Sequence, residues 1–223
     1  MIKKIILVLI TIHLLSACTP TMRSHYYNIR LAMSSDSDGR MERRLVEDSD
    51  VQVAFVKSGD RGWATVALAF NENGQEKWIS GDRAMLVTKN GYVIKTIGFT
   101  NDLMFTSDLD DLPLPSYQQS STWTRYQDWL KGEYGYEVYS KFTKVADENI
   151  EILGEVFNTV KVRESAEYLG EADNIRFDDQ WNNYFWYDKK SGALLQSQQK
   201  VSPFADEFTI TYASMALSLV GAK

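Results

Sequence analysis

The chain has 223 residues, with 24 Lys and Arg against 30 Asp and Glu, a formal net charge of -6, 44% hydrophobic residues and one cysteine. The acidic balance argues against a nucleic-acid surface, and a single thiol leaves neither a disulfide framework nor a thiolate metal site. The length allows one sizeable core.

Met1-Ile2-Lys3-Lys4 is a short cationic head, and Ile5 to Leu15 is an apolar run too short for a stable bilayer anchor. Leu15-Ser16-Ala17-Cys18 follows, with two small residues directly before the lone cysteine. This is a lipobox, in the manner of bacterial lipoproteins generally. Residues 1–17 are expected to be a signal peptide, and Cys18 to become the mature N-terminus and the lipid attachment site, carrying a diacylglyceryl thioether and an N-acyl chain such as palmitate. Each buried methylene contributes roughly 0.8 kcal/mol, so three chains hold the protein permanently to a membrane. Thr19 stands where an inner-membrane retention signal would need Asp, so the periplasmic face of the outer membrane is the expected location. Loss of Lys3 and Lys4 with the signal peptide moves the net charge from -6 to -8. Anionic lipid therefore offers no second attachment.

Residues 18–50 read as the lipidated N-terminus and a polar tether, loosest at Ser34-Ser35-Asp36-Ser37-Asp38-Gly39. Tyr26, Ile29 and Leu31 could start a short element, and Met41 to Val46 could form a helical turn or two. A domain over 51–223 then shows short apolar or alternating runs broken by Gly and Asn turns, the pattern of antiparallel strands. Val51–Val56, Trp63–Phe70, Gln75–Ser80, Ala84–Thr88 and Tyr92–Ile97 are the first five predicted strands. Asn73-Gly74 and Asn90-Gly91 are the strongest hairpin signals. Thr100 to Ser120, with Pro113 and Pro115, reads as a surface loop.

Ser121 or Thr122 is placed to cap a helix that carries Trp123, Tyr126, Trp129 and Leu130 on one stripe and stops at Gly132. Strands are then predicted at Glu137–Val145, Ile150–Glu155, Thr159–Glu164, Asn183–Asp188, Ala193–Val201 and Glu207–Ala213, with a hairpin at Lys190-Ser191-Gly192. So many short strands in one domain need a barrel or a pair of packed sheets. The expected fold is all-β, an antiparallel closed or partly open β-barrel with one or two short helices.

The block Trp78-Ile79-Ser80-Gly81-Asp82-Arg83-Ala84-Met85-Leu86-Val87-Thr88-Lys89-Asn90-Gly91-Tyr92-Val93-Ile94-Lys95-Thr96-Ile97-Gly98-Phe99 resembles the signature of the group 4 capsule lipoprotein family, the GfcB/YjbF/YmcC-like proteins. A second block, Asn183-Tyr184-Phe185-Trp186-Tyr187-Asp188 with Gly192, Ser197, Gln199 and Pro203, resembles that family's C-terminal pattern. It departs at Tyr187, where the pattern has an aliphatic residue, an exchange a strand tolerates. The resemblance covers nearly all of the mature chain. It implies a barrel-like outer-membrane lipoprotein linked to export of capsule or other exopolysaccharide, with protein partners in that machinery. It carries no catalytic or binding residue across, and Trp78, Asp82, Lys95, Thr96 and Trp186 match the pattern without an assigned role.

Chemistry must therefore be weighed residue by residue. His13 leaves with the signal peptide and His25 stands alone, which removes imidazole-based catalysis and histidine metal sites. Asp36-x-Asp38-Gly39 resembles part of a calcium loop, but Ser34 and Leu45 fall where that loop needs carboxylates. Asp108, Asp110 and Asp111 more naturally cap a turn than hold a cation. Asp82, Glu164, Asp178 and Asp179 could form a glycosidase pair only if folding set two across a cleft. Gly59-x-x-Gly62 is a turn, not a phosphate cradle. No enzyme activity, metal or cofactor is expected.

Aromatic residues are dense at Trp181 to Tyr187 and at Trp123, Tyr126 and Trp129. Strand alternation sends Tyr184 and Trp186 to one face and Phe185 and Tyr187 to the other. Packing in the core is one destination for them, and an exposed sugar-stacking surface the other, with Trp123 and Trp186 as the candidate glycan-facing residues. Two functional readings stand: a tethered, non-enzymatic accessory protein of polysaccharide export, and a periplasmic glycan-binding module touching the polymer through exposed aromatics. A lipid carrier with an apolar lumen is a minor third.

Overall fold

The computed structural model describes residues 39–113, 120–131, 133–169 and 179–221. Among them, β1 (Val53–Ser58), β2 (Ala64–Glu72), β3 (Gln75–Ser80), β4 (Met85–Lys89), β5 (Tyr92–Ile97), β6 (Leu103–Thr106), β7 (Ser121–Trp129), β8 (Glu133–Ile152), β9 (Glu155–Tyr168), β10 (Gln180–Asp188), β11 (Leu194–Gln199) and β12 (Phe208–Thr211) form one sheet. Two helices, α1 (Arg43–Glu47) and α2 (Ala213–Gly221), flank it. The strand order is β5-β4-β3-β2-β1-β12-β11-β10-β9-β8-β7-β6, and every neighbouring pair is antiparallel. Chain neighbours pair everywhere except β5 with β6, and β1 meets β12, so the sheet rolls into the all-β, nearly closed barrel that the sequence predicts.

Local chemistry explains the tight turns. Asn73-Gly74 and Asn90-Gly91 adopt positive φ at both positions (54° and 73°, 51° and 82°), the conformation that matches the twist of two-residue hairpins. Leu153-Gly154 does the same between β8 and β9. The predicted strand Ile150–Glu155 is thus corrected to the tip of a long hairpin, whose turn lacks the usual Asn or Asp. A second correction concerns residues 121–130, which form β7 and not a helix. Trp123, Arg125, Gln127 and Trp129 are buried while Thr122, Thr124 and Tyr126 are exposed, a period of two. Trp123, Tyr126 and Trp129, three residues apart, fit a helical stripe, whereas on the strand they alternate between faces, and the inward Arg125 and Gln127 hid that alternation. Within the predicted loop at 100–120, Leu103–Thr106 pairs with β7 as a short strand.

The sheet's two edges, β5 and β6, meet at a seam joined through side chains. Thr106 Oγ1 donates to Ile94 O (2.8 Å), and the Leu103 amide donates to Thr96 Oγ1 (2.9 Å). Buried Asp102 accepts from Thr96 Oγ1 (2.9 Å) and from the amides of Gly98 (2.9 Å) and Phe99 (3.1 Å). Asp102→Ala is expected to cost about 3 kcal/mol, since one change orphans several donors in partly buried surroundings. Urea denaturation measures the loss, and faster hydrogen exchange at Gly98, Phe99 and Leu103 would localise it; an unaltered denaturation midpoint would refute the closure role.

The interior holds two main clusters. Ala54, Val56, Val66, Trp78, Leu86, Val93, Phe208 and Ile210 belong to one, and Val87, Tyr92, Ile94, Trp123, Phe142, Phe185 and Tyr187 to the other. β4 and β5 feed both, since consecutive residues on the two faces of this hairpin are buried. Each large apolar side chain withdrawn from water contributes roughly 1.5–3 kcal/mol. Outside the barrel, Met41 and Val46 cover Val53 and Phe55 together with Ala213 of α2, so packing begins ahead of residue 51. The β8–β9 tip packs through Ile152 and Phe157 on Leu195 and Ala216. Arg43 holds that tip, donating to Leu153 O (3.2 Å) and pairing with Glu155 (2.7 Å).

Candidate functional site

Three places gather polar chemistry: the hydrogen-bond ties of the two signature blocks, a buried charged cluster inside the barrel, and the barrel mouth. In the first block, Trp78 Nε1 donates to Thr88 Oγ1 (3.1 Å), which donates to Glu76 (3.0 Å). Ser80 Oγ donates to Asp82, and that hydrogen bond holds the Asp82 carboxyl below its ordinary pKa. Thr96 serves the seam. In the second block, Gln199 accepts from the Val93 amide (3.0 Å) and donates to Gly91 O (2.8 Å) and Ser197 Oγ (2.8 Å), joining β11 to the β4–β5 hairpin. These strands are not sheet neighbours, so the Gln199 side chain links them where no ladder does.

The buried cluster centres on Glu164 of β9, 1% exposed, and Arg125 of β7, 3% exposed. Arg125 Nη1 lies 3.2 Å from Glu164 Oε1 and donates to Ser140 Oγ (2.6 Å), which donates to the same carboxylate oxygen (2.6 Å). Asn183 Nδ2 donates to the other oxygen (2.7 Å), and Asn183 Oδ1 accepts from the Lys200 amide (2.7 Å). Burial lowers the Arg125 pKa, and the adjacent carboxylate opposes that shift. Both oxygens of Glu164 are engaged, which leaves it no approach to a glycosidic bond. Burial also raises the pKa of the neighbouring Tyr92 and Tyr187, keeping both phenols neutral.

At the mouth, the turns after β1, β5 and β11 come together. A cavity of about 390 Å³ is walled by Phe99, Trp129, Phe204 and Phe208, with Ser58 and Asn101 among its polar groups. A second cavity of about 190 Å³ shares Ser58 and Phe99 and adds Arg61 and Asp82. Arg61 sits over the Phe99 ring at 5.9 Å, and Phe99 meets Phe208 edge to face at 5.1 Å. Ser58 Oγ and Trp129 Nε1, both buried, have no hydrogen-bond partner among the described residues.

The two tryptophans expected to face a glycan do not. Trp123 is 3% exposed, with the Arg125 guanidinium 4.2 Å from its ring centroid and Nε1 donating to Asp108 O (2.9 Å). Trp186 is 4% exposed, under Lys161 at 4.6 Å, with Nε1 donating to Glu148. In each case a protein cation takes the aromatic face that a sugar would need. Tyr184 also lies beneath Lys161 at 4.9 Å, Phe185 and Tyr187 are core, and Trp181 donates to Lys200 O (2.9 Å). Asp108 closes a turn by accepting at its carbonyl from the Asp111 amide (3.1 Å), and Asp110 pairs with Lys89 (3.3 Å). Among the described residues no group of three or more His, Cys, Asp or Glu is placed to hold a metal ion. Cys18, His25, Asp36, Asp38 and Asp178 lie outside the described residues. Arg125, Ser58 and Phe204 are the site residues that sequence reasoning missed; only the period-two pattern of β7 offered a signal, for Arg125.

Comparison with known proteins follows the same architecture. The chain is 27% identical over 191 residues to the uncharacterized lipoprotein GfcB of Escherichia coli K12, covering 83% of this chain and 86% of that protein. It is 32% identical over 150 residues to the uncharacterized lipoprotein YjbF of the same organism, 65% of this chain and 66% of the relative. The crystal structure of the hypothetical lipoprotein YmcC from Escherichia coli K12 superposes with a TM-score of 0.70 at 24% identity, over 82% of this chain and 92% of that one, which shows a shared fold. Residues 26–212 match the family described as group 4 capsule polysaccharide lipoprotein GfcB, YjbF, and the chain belongs to that family.

Proposed function

We propose that this protein is a lipid-anchored accessory component of capsule or exopolysaccharide export or assembly, held at the periplasmic face of the outer membrane and acting by contact, not catalysis. The observation that carries the reading is the commitment of the buried polar groups: Asp102, Glu164, Asn183 and Gln199 are hydrogen-bonded to the barrel itself. A catalytic carboxyl pair needs one group in an apolar setting and another open to substrate. Membership of a capsule polysaccharide lipoprotein family supports the pathway, and relatives named as lipoproteins support the anchor. The partners are then the membrane, through the N-terminal lipid, and proteins of the export machinery.

Deleting the gene is expected to lower the amount of surface polysaccharide, with recovery on re-expression; an unchanged amount and chain length would overturn the pathway assignment. Cys18→Ser is expected to abolish incorporation of labelled palmitate and to release the protein from the membrane fraction. Label still entering that variant would refute Cys18 as the attachment site.

A further inference from the structure

We propose that the barrel mouth is a saccharide-binding site that takes one or two neutral sugar units of a polymer. The inference rests on the accessory reading above for the source of the sugar and adds which surface touches it. A sugar ring presents apolar C–H faces and a rim of hydroxyls, so a site for it needs aromatic walls beside unpaired hydrogen-bonding groups. The mouth has both. Its main cavity, about 390 Å³, falls within the ~300–1,000 Å³ range of small-molecule sites.

Phe204 stands at the rim with 69% of its surface exposed, a large aromatic ring left in water beside a concave surface. Further in, Trp129 is edge-on to Tyr136 at 5.9 Å, so its position is held by packing. Among the described residues its Nε1 has no acceptor, and Ser58 Oγ, in the wall common to both cavities, has neither donor nor acceptor. Indole N–H can only donate and a serine hydroxyl can do both, which suits ligand hydroxyls. The same pattern continues inward along β7, where Gln127 Oε1 and Arg125 Nε are also buried without partners. Three successive inward residues of one strand thus each carry an unmet polar atom, the reverse of the fully paired signature ties. Unpaired buried polar groups destabilise a fold unless something enters to meet them.

Charge selects among sugars. Asp206 borders the larger cavity and Asp82 the smaller, where Arg61 also lines the wall. Carboxylates accept from neutral hydroxyls and repel an acidic ring, so cellobiose, lactose and diacetylchitobiose are suitable probes, with glucuronic acid as the comparison.

The test uses the full-length chain, labelled with nitrogen-15 and solubilised in a detergent without a sugar headgroup. Six tryptophan indoles report separately, and Trp129→Phe identifies its own signal by loss. Millimolar disaccharide is expected to move the Trp129 indole resonance saturably while the Trp63 resonance stays in place. Phe204→Ala and Ser58→Ala are each expected to weaken binding by about tenfold. Trp129→Phe removes the unpaired donor together with part of the buried indole, so the thermal midpoint should fall and disaccharide binding should be weakened even well below that midpoint, where the variant is folded. Phe204→Ala at the exposed rim should weaken binding with the thermal midpoint unchanged, a separation that a residue serving only to pack the barrel would not show. No movement of the Trp129 resonance with any of the disaccharides would overturn the site, as would wild-type affinity in both Phe204→Ala and Ser58→Ala; tighter binding of glucuronic acid would overturn the neutral assignment. The deletion phenotype above is read without sugar titration, so the accessory reading can stand if this site fails.

Discussion

Glu164→Ala is expected to destabilise the barrel by about 3–5 kcal/mol, the largest effect of any single change considered, because it leaves the Arg125 guanidinium buried without its counter-charge. The surroundings offer no compensation: Arg125 keeps only Ser140 and the face of Trp123, and its Nε is already unpaired. Asn183 loses its acceptor at the same time. Guanidinium denaturation would measure the loss, and the double change Arg125→Met with Glu164→Leu should recover most of it, since an apolar pair of similar volume needs no desolvation of charge. If the double variant were as unstable as Glu164→Ala, the pair would not be the cause. The recovery also separates stability from function: Arg125 and Glu164 can be exchanged for apolar residues only if no substrate depends on them.

Gly91→Ala is expected to cost about 2–4 kcal/mol, combining left-handed strain with overpacking. Gly91 has φ of 82°, and a Cβ there would stand 2.1 Å from Leu194 Cδ2. The clash falls where β11 crosses the β4–β5 hairpin, beside the Gln199 ties. Gly91→Ala with Leu194→Ala is expected to relieve the steric share and leave the backbone share, so the two costs should be less than additive. Strict additivity would show that contact with Leu194 contributes nothing. Gly74, with φ of 73° and open space around it, supplies the comparison, since Gly74→Ala carries the strain alone.

How much of the site was legible depends on what kind of contact makes it. Trp123 and Trp186 stood out as candidate sugar-facing residues because tryptophan is large and rarely incidental. The structure instead places Arg125 over one and Lys161 over the other, from positions two residues and twenty-five residues away. A cation covering an aromatic face leaves no mark at the aromatic's own position, so sequence patterning could not separate a covered ring from an open one. Phe204 shows the converse: it lies in a turn between two strands, unremarkable in sequence, and becomes an exposed wall of the mouth only when the turns after β1, β5 and β11 converge.

The sequence by itself determined most of the strand periods, the Asn-Gly and Ser-Gly turns, the all-β barrel class and the family blocks, because each follows from neighbouring residues or from a contiguous pattern. The proposed lipobox at 15–18 is a local signal of the same kind, resting on the lone Cys18. Tertiary structure decided the rest. It made residues 121–129 a strand by turning Arg125 and Gln127 toward a polar interior, merged three predicted strands into the long β8–β9 hairpin, and joined β5 to β6 through Asp102 and Thr96. The physical reason is that a polar residue is read from sequence as exposed, whereas burial with a partner from a distant strand reverses that sign. Glu164 and Asn183, nineteen residues apart and on adjacent strands, acquire their meaning only from that pairing.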